Sequence, residues 1–374
     1  MRIIFFCISY FLIFTMIRFK SVDTLRGICM TWMYLGHLLE WWIKPEYLFI
    51  NTITHQIFDS VGASGFLFIS GLSMALSYRR KSSQSDSNPK QIKNQYFLRA
   101  FFLLIIAILY NIPTAVAYNN FFEIWIWFVL LTAAFSLMLA WPLLKAPIYV
   151  RLIIVFAMLF GNSYLFMYLS NFSGDFSING VIYYILYNQP QLDPLLTFFP
   201  FFLFGTVLGE MIFRLNIKNG NSDYKEKLKK KIIIPLIFTG IFLIIFGVIF
   251  DFPQFFTIRG SLAWNLYSLG IETVLLMIFL SIEFLFKFKP KKSYRFLFYF
   301  SYYSFTVYLV HQLLYFLFLG QLDYITIWFA IPITFILSGL LLRTVYRYAG
   351  PYASIKALIS KFSTYIARKK YAEQ

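Results

Sequence analysis

The chain has 374 residues, of which 60% are hydrophobic, 22% aromatic and only 13% charged, about half the charge of a soluble globular domain. That excludes a water-soluble fold and any set of soluble domains of ordinary size. The net charge of +17 would suggest nucleic acid on a soluble protein; here it reads as membrane orientation, because cytoplasmic loops concentrate Lys and Arg, and no nucleic-acid partner is expected.

Residues 1–17 form an apolar leader without a clear small-residue cleavage site. It reads as a poor signal peptide, an extra membrane segment or a mistaken start, and the basic leader that opens at Met16 favours the last. Ten windows of about 20 mainly apolar residues follow, at 27–43, 55–78, 96–117, 122–141, 148–170, 195–213, 232–250, 263–286, 295–319 and 324–342. The charges test this count independently. With ten crossings, thirty Lys and Arg residues fall in one set of loops, Arg151 and Arg214 among them, and only Lys44 and Arg259 in the other. The expected fold is therefore all-α, a polytopic membrane bundle of about ten transmembrane helices with both termini cytoplasmic. Residues 18–352 form its membrane domain and 353–374 a basic cytoplasmic tail. The basic loops 81–95 and 216–231 face the cytoplasm and touch anionic lipid, whereas 171–194, free of Lys and Arg, is the longest external segment. Cys7 and Cys29 sit in apolar runs and form no disulfide framework.

Ionisable residues in apolar helices are expensive, so each is a functional candidate. The first window carries Asp23, Arg26, His37 and Glu40 on or beside it. Eleven residues separate Arg26 from His37, which returns a helix to within about 20° of the same face and climbs about 16 Å. The chain has only three histidines, His37, His55 and His311, and the topology puts all of them in the external half, near Glu40, Asp59 and Glu46. Imidazole beside a carboxylate acts as a general base or an acyl-accepting nucleophile; the bland alternative is a packing hydrogen bond, which suits His55 best. Arg26, Arg79 and Arg80 close the cytoplasmic ends of the first two windows and are candidates to hold the phosphates of a cofactor. Small residues from Gly62 to Ser73, Ser70 and Gly71 included, allow close helix approach. No G-x-S-x-G, P-loop, G-x-G-x-x-G or zinc pattern competes, and no metal is expected.

Several segments resemble one family. Val22-Asp23-Thr24-Leu25-Arg26-Gly27, followed by His37, is similar to the opening D-x-x-R-G motif of the heparan-α-glucosaminide N-acetyltransferase family and its prokaryotic relatives. Phe66 to Ser73 resembles that family's F-L-F-x-S-G-x-S, and Asp193-Pro194-Leu195-Leu196 leading to Gly205 its P-L-L-P-W segment, with Thr197-Phe198 where P-W would stand. Ser304 to His311 resembles the late S-L-T-x-Y-L-x-H motif and Gly350-Pro351 the terminal G-P. These landmarks run in family order over most of the chain.

The resemblance implies transfer of an acetyl group from cytosolic acetyl-CoA across the bilayer to an amine or hydroxyl of a sugar or glycolipid. It implies catalytic roles for His37 with Glu40, for His311 and for His55, cofactor contacts at Arg26, Arg79 and Arg80, and structural roles for Asp23, Gly27, Ser70 and Gly71. The expected partners are acyl-CoA, an external glycan acceptor, membrane lipid and a second copy of the chain in a homo-oligomer, at the plasma membrane. O-acylation of a surface polysaccharide is the nearest enzymatic alternative. A glycolipid transporter or flippase is the alternative of a different class.

Overall fold

Backbone groups inside a hydrocarbon layer must be satisfied within the segment, so apolar runs of membrane length fold as helices. The computed structural model describes residues 19–84, 87–215, 222–250, 258–285 and 295–372; the leader and parts of the loops near 216–221, 251–257 and 286–294 lie outside the described residues. Among the described residues there is no strand, only an isolated bridge between Ile43 and Leu322.

In chain order the helices are α1 (Lys20–Trp42), α2 (Leu48–Phe58), α3 (Ala63–Ser82), α4 (Pro89–Ala117), α5 (Val129–Leu143), α6 (Ile148–Ser170), α7 (Ile178–Tyr187) and α8 (Leu195–Arg214). Ser222–Leu228 then runs through a π turn into α9 (Ile234–Phe250), followed by α10 (Leu262–Phe284), α11 (Arg295–Tyr302), α12 (Ser304–Val310), α13 (Ile327–Tyr348) and α14 (Ile355–Ala372). Local chemistry sets several starts. Asn88 accepts from the backbone of Lys90 and Gln91 ahead of Pro89, and Ser261 accepts from Trp264 N to open α10.

Seven of the described helices are long and apolar enough to cross a membrane, and the chain is an integral membrane protein. α1, at 23 residues, has the length but is more polar, and α5, at 15, is shorter. In the α8 span 89% of residues are buried, against 17% in α13, so α8 is the central post and α13 faces lipid. α3 is the other buried helix and lies directly on α8. A Cβ on Gly71 would stand 1.9 Å from the Phe202 carbonyl oxygen, and one on Gly205 2.0 Å from that of Phe68. Only hydrogen fits at this crossing, which brings the two backbones together.

Three expectations change, and the tail gains detail. The predicted second window is split: a 3-10 turn at Asp59–Val61 separates α2 from α3, so His55 belongs to α2 and does not open the long span. The ninth window is three pieces, α11, α12 and a 3-10 segment His311–Phe316. Arg151 is no loop cation, because it is fully buried in the first turn of α6. The tail is a formed helix, α14, fastened to α4 by Gln95 donating to Thr364 Oγ1 and Arg99 to Ser360 Oγ.

Candidate functional site

The end of the bundle where α1 begins carries most of the arginines; the opposite end, where α1 finishes, holds a cavity of about 570 Å³. His37, Glu40, His55 and His311 all line it, although they come from three separate elements. Glu46, on an exposed 3-10 turn, does not.

His311 is drawn to α1 by backbone pairing beyond it. Gly320 N donates to Trp41 O and Leu322 N to Trp42 O, both at 2.9 Å, while the Trp42 indole donates to Leu314 O at 2.8 Å. This pairing follows the 3-10 segment, and Trp41 ends up beside both imidazoles. The His37 ring stacks on Trp41 at 5.2 Å and an interplanar angle of 12°, and the His311 ring lies on Trp41 at 5.4 Å and 23°. The two imidazole centroids are 5.3 Å apart.

The hydrogen bonds assign the ring nitrogens. His311 Nδ1 lies 2.6 Å from the Tyr308 carbonyl oxygen, which can only accept, so Nδ1 carries the proton and Nε2 keeps its lone pair. His37 Nδ1 faces Glu40 Oε2 at 3.3 Å, which leaves its Nε2 equally uncommitted when the ring is neutral. His311 is buried and the His37 side chain is 37% exposed, so one imidazole is fixed in the wall and the other is open to the cavity. His55 packs its ring edge against Trp32 at 5.9 Å and over Gly36, and its Nε2 is buried without a hydrogen-bond partner.

A third group in the cavity wall joins three remote stretches of chain. Arg259 Nε lies 3.1 Å from Asp59 Oδ2, and its Nη2 donates to Asp193 Oδ1 at 2.6 Å. Burial in the loop before α8 pushes the Asp193 carboxyl up to about 6, against the pull of Arg259. Arg259, read from sequence only as a stray external cation, is a site residue. Its signal was its isolation in a loop set almost free of cations.

The other predicted site residues do not touch the cavity: the arginines, Asp23 and Gly27 gather at the opposite end, and Ser70 and Gly71 lie midway along α3. Arg26 donates to Ser73 Oγ and pairs with Asp23 Oδ1 at 3.6 Å. Arg80 lies over the Phe19 ring at 5.5 Å. Arg79 is engaged by Glu210 at 2.8 Å and by Leu144 O at 3.2 Å, so its fork is occupied by the fold. Glu210, on α8, also pairs with the buried Arg151 and with Arg214. Gly27 lets α1 meet the backbone of Leu297, Ser70 Oγ donates to Phe66 O at 2.7 Å, and Gly71 forms the α3–α8 crossing. Among the described residues no three His, Cys, Asp or Glu side chains gather as a metal site.

Two imidazoles and a carboxylate on one cavity are groups able to take up and return a proton. The family model described as heparan-alpha-glucosaminide N-acetyltransferase, catalytic, matches residues 18–246, well over half the chain, and the chain belongs to that membrane acetyltransferase family. A search of curated proteins finds no match. The matched region contains His37, Glu40 and His55, while Arg259 and His311 lie beyond it.

Proposed function

We propose that the protein moves an acetyl or similar acyl group from cytosolic acyl-CoA to an amine or hydroxyl of a sugar or glycolipid on the external side of the plasma membrane. The observation that carries this reading is the cluster of His37, Trp41 and His311, set in a cavity at the far end of α1 from the arginines. The division of loop cations, twenty-nine against two once the buried Arg151 is set aside, supports ten crossings with both ends in the cytoplasm, which makes the arginine end the donor side. There Arg26 and Arg80 are the forks for the phosphates of the donor. The cavity is then the acceptor side.

The chemistry asks for one base. As the acceptor heteroatom bonds to the acyl carbon, its proton passes to an imidazole Nε2, and the carbon–sulfur bond breaks with its electron pair going to sulfur. His37 is the central base in this reading, because it is the imidazole open to the cavity and Glu40 stabilises its cationic form. His311 orients it through the shared Trp41 face and takes part in placing the acceptor.

Purified protein incubated with labelled acetyl-CoA and a panel of amino sugars and membrane glycolipids, read by mass spectrometry, tests the proposal. The parent should label one acceptor class, and His37→Ala should lower the rate by about 10²–10⁴-fold while acetyl-CoA binding persists. A parent that transfers nothing from any acyl-CoA, or a folded His37→Ala protein at the parent rate, would overturn it.

A further inference from the structure

α10 carries a line of polar side chains that the acyl-transfer reading leaves unused. Asn265, Ser268 and Glu272 are all buried, at 1%, 0% and 0% exposure, and face the 3-10 turn and the start of α3, where Ser60 and Ser64 are equally buried. Five oxygens along this seam have no hydrogen-bond donor or acceptor in good geometry: Ser60 Oγ, Asn265 Oδ1, Ser268 Oγ and both carboxylate oxygens of Glu272. Ser64, the hydroxyl nearest Glu272 on α3, gives its proton to Ser60 O at 3.1 Å. So many unmet polar atoms in one seam need a reason, because each is costly to bury.

The seam begins at the cavity. Asp59, in the cavity wall and paired with Arg259, precedes Ser60, and Asn265 Nδ2 donates to Gly260 O at 3.1 Å beside that arginine. It ends at Glu272, where Gly65 leaves room: a Cβ there would stand 2.7 Å from Cys29 Sγ and 3.7 Å from Glu272 Oε1. Cys29 lines the cavity, so the carboxylate sits just behind its wall. The charged groups around it are few. On α1 the neighbouring cation is Arg26, tied to Asp23 and Ser73; α3 offers only serines at this level; and α9, packed on the other face of α10, has no titratable residue.

We infer that Glu272 is a proton-holding carboxylate coupled to the reaction cavity through the hydroxyls of Ser60, Ser268 and Ser64. Two features separate this from a cation site. Asn265 and Glu272 are seven residues apart on one helix, about 10.5 Å along its axis, so the oxygens are strung out and cannot surround one ion at the roughly 2.3–2.6 Å that oxygen ligands need. Three members are hydroxyls, each able to give one proton and accept another. The inference rests on the proposed acyl transfer for its purpose. In that reaction the acceptor loses a proton to an imidazole at the cavity, while the thiolate released there takes the proton of the Glu272 acid along the seam. The imidazolium proton then passes along the seam to the Glu272 carboxylate, which restores the neutral imidazole and the protonated acid without releasing a charge into the membrane.

The first test does not depend on turnover. Infrared spectroscopy of the parent should show a carboxylic acid carbonyl band that disappears in Glu272→Gln, and its shift on transfer to deuterium oxide should be slower in Ser268→Ala. The second is kinetic: Glu272→Gln should lower kcat by about 10²-fold, leave KM for acetyl-CoA unchanged and alter the pH–rate profile. Loss of no band in Glu272→Gln, an exchange rate unaffected by Ser268→Ala, or parent kcat and pH profile in the variant would each overturn the inference. So would sodium-dependent thermal stabilisation of the parent that Glu272→Gln abolishes, since that marks a cation site. A parent with the band and its seam-dependent exchange but no transfer would overturn the proposed function alone.

Discussion

The two ends of the bundle carry charge clusters that are inversions of each other. At the arginine end one carboxylate, Glu210, gathers three guanidinium groups from α3, α6 and α8. At the cavity end one guanidinium, Arg259, gathers two carboxylates from the turn before α3 and the loop before α8. The first is closed at its hub, with the Glu210 side chain 2% exposed and that of Arg151 0%, while Arg79 and Arg214 reach outward at its rim. The second lies in the wall of the cavity, and the Arg259 side chain remains 30% exposed. Similar ionic chemistry serves helix packing at one end and lines a cavity at the other. Location decides the use, because a buried pair is held by the absence of any alternative partner, whereas an open one can exchange its partner for a substrate.

The sharpest way to break this contrast is to remove the hub of the closed cluster. Glu210→Ala leaves Arg151 buried without its carboxylate, and an uncompensated buried charge is worth about 3–5 kcal/mol of lost stability. Thermal unfolding in detergent should show a large drop. A variant that unfolds with the parent would mean the cluster is not what joins α3, α6 and α8.

The open cluster should respond to pH instead. Because burial raises the Asp193 carboxyl from 3.8 to about 6, the folded state binds its proton more tightly than the unfolded chain does. The stability this contributes is complete below about pH 4 and is lost as pH rises through about 6, by at most about 3 kcal/mol. Asp193→Asn has no such group, so its melting temperature relative to the parent should climb between pH 4 and 7. Parallel curves for the two proteins would remove Asp193 as the titrating member.

The smallest effect tests the crossing that holds the two ends at fixed distance. Gly71→Ala should cost about 1–3 kcal/mol, because its methyl meets a backbone carbonyl that cannot rotate away. Gly161→Ala, with nothing within 4 Å of the new Cβ, should be neutral or stabilising by up to about 1 kcal/mol. Equal melting temperatures for these two variants would show that α3 and α8 can part without loss.

Much of this was legible in the sequence. A membrane helix announces itself by an apolar run of fixed length, so α4, α6, α8, α9, α10 and α13 fall where the hydropathy puts them, and the three histidines stood out by rarity. The break at His311 was not legible, because no glycine or proline stands at it, and the one at Asp59–Val61 is marked only by Gly62, which read as a packing glycine. They form where the chain turns to meet α1, a tertiary demand that overrides local propensity. The Arg259 cluster was hidden for a related reason, since its members are scattered along the chain. Glu210 and Glu272 are different: each is an acid inside an apolar window, and the rule that singled out His37 applies to them with equal force.

The closed cluster also imposes an order on biosynthesis. Arg79 and Arg151 leave the ribosome ahead of Glu210, because α3 and α6 precede α8 in the chain. Until α8 enters the bilayer these two guanidinium groups have no carboxylate from α8 to meet, and burial of Arg151 must wait. The central helix is therefore the element whose arrival completes the ion cluster and lets its neighbours take their final places.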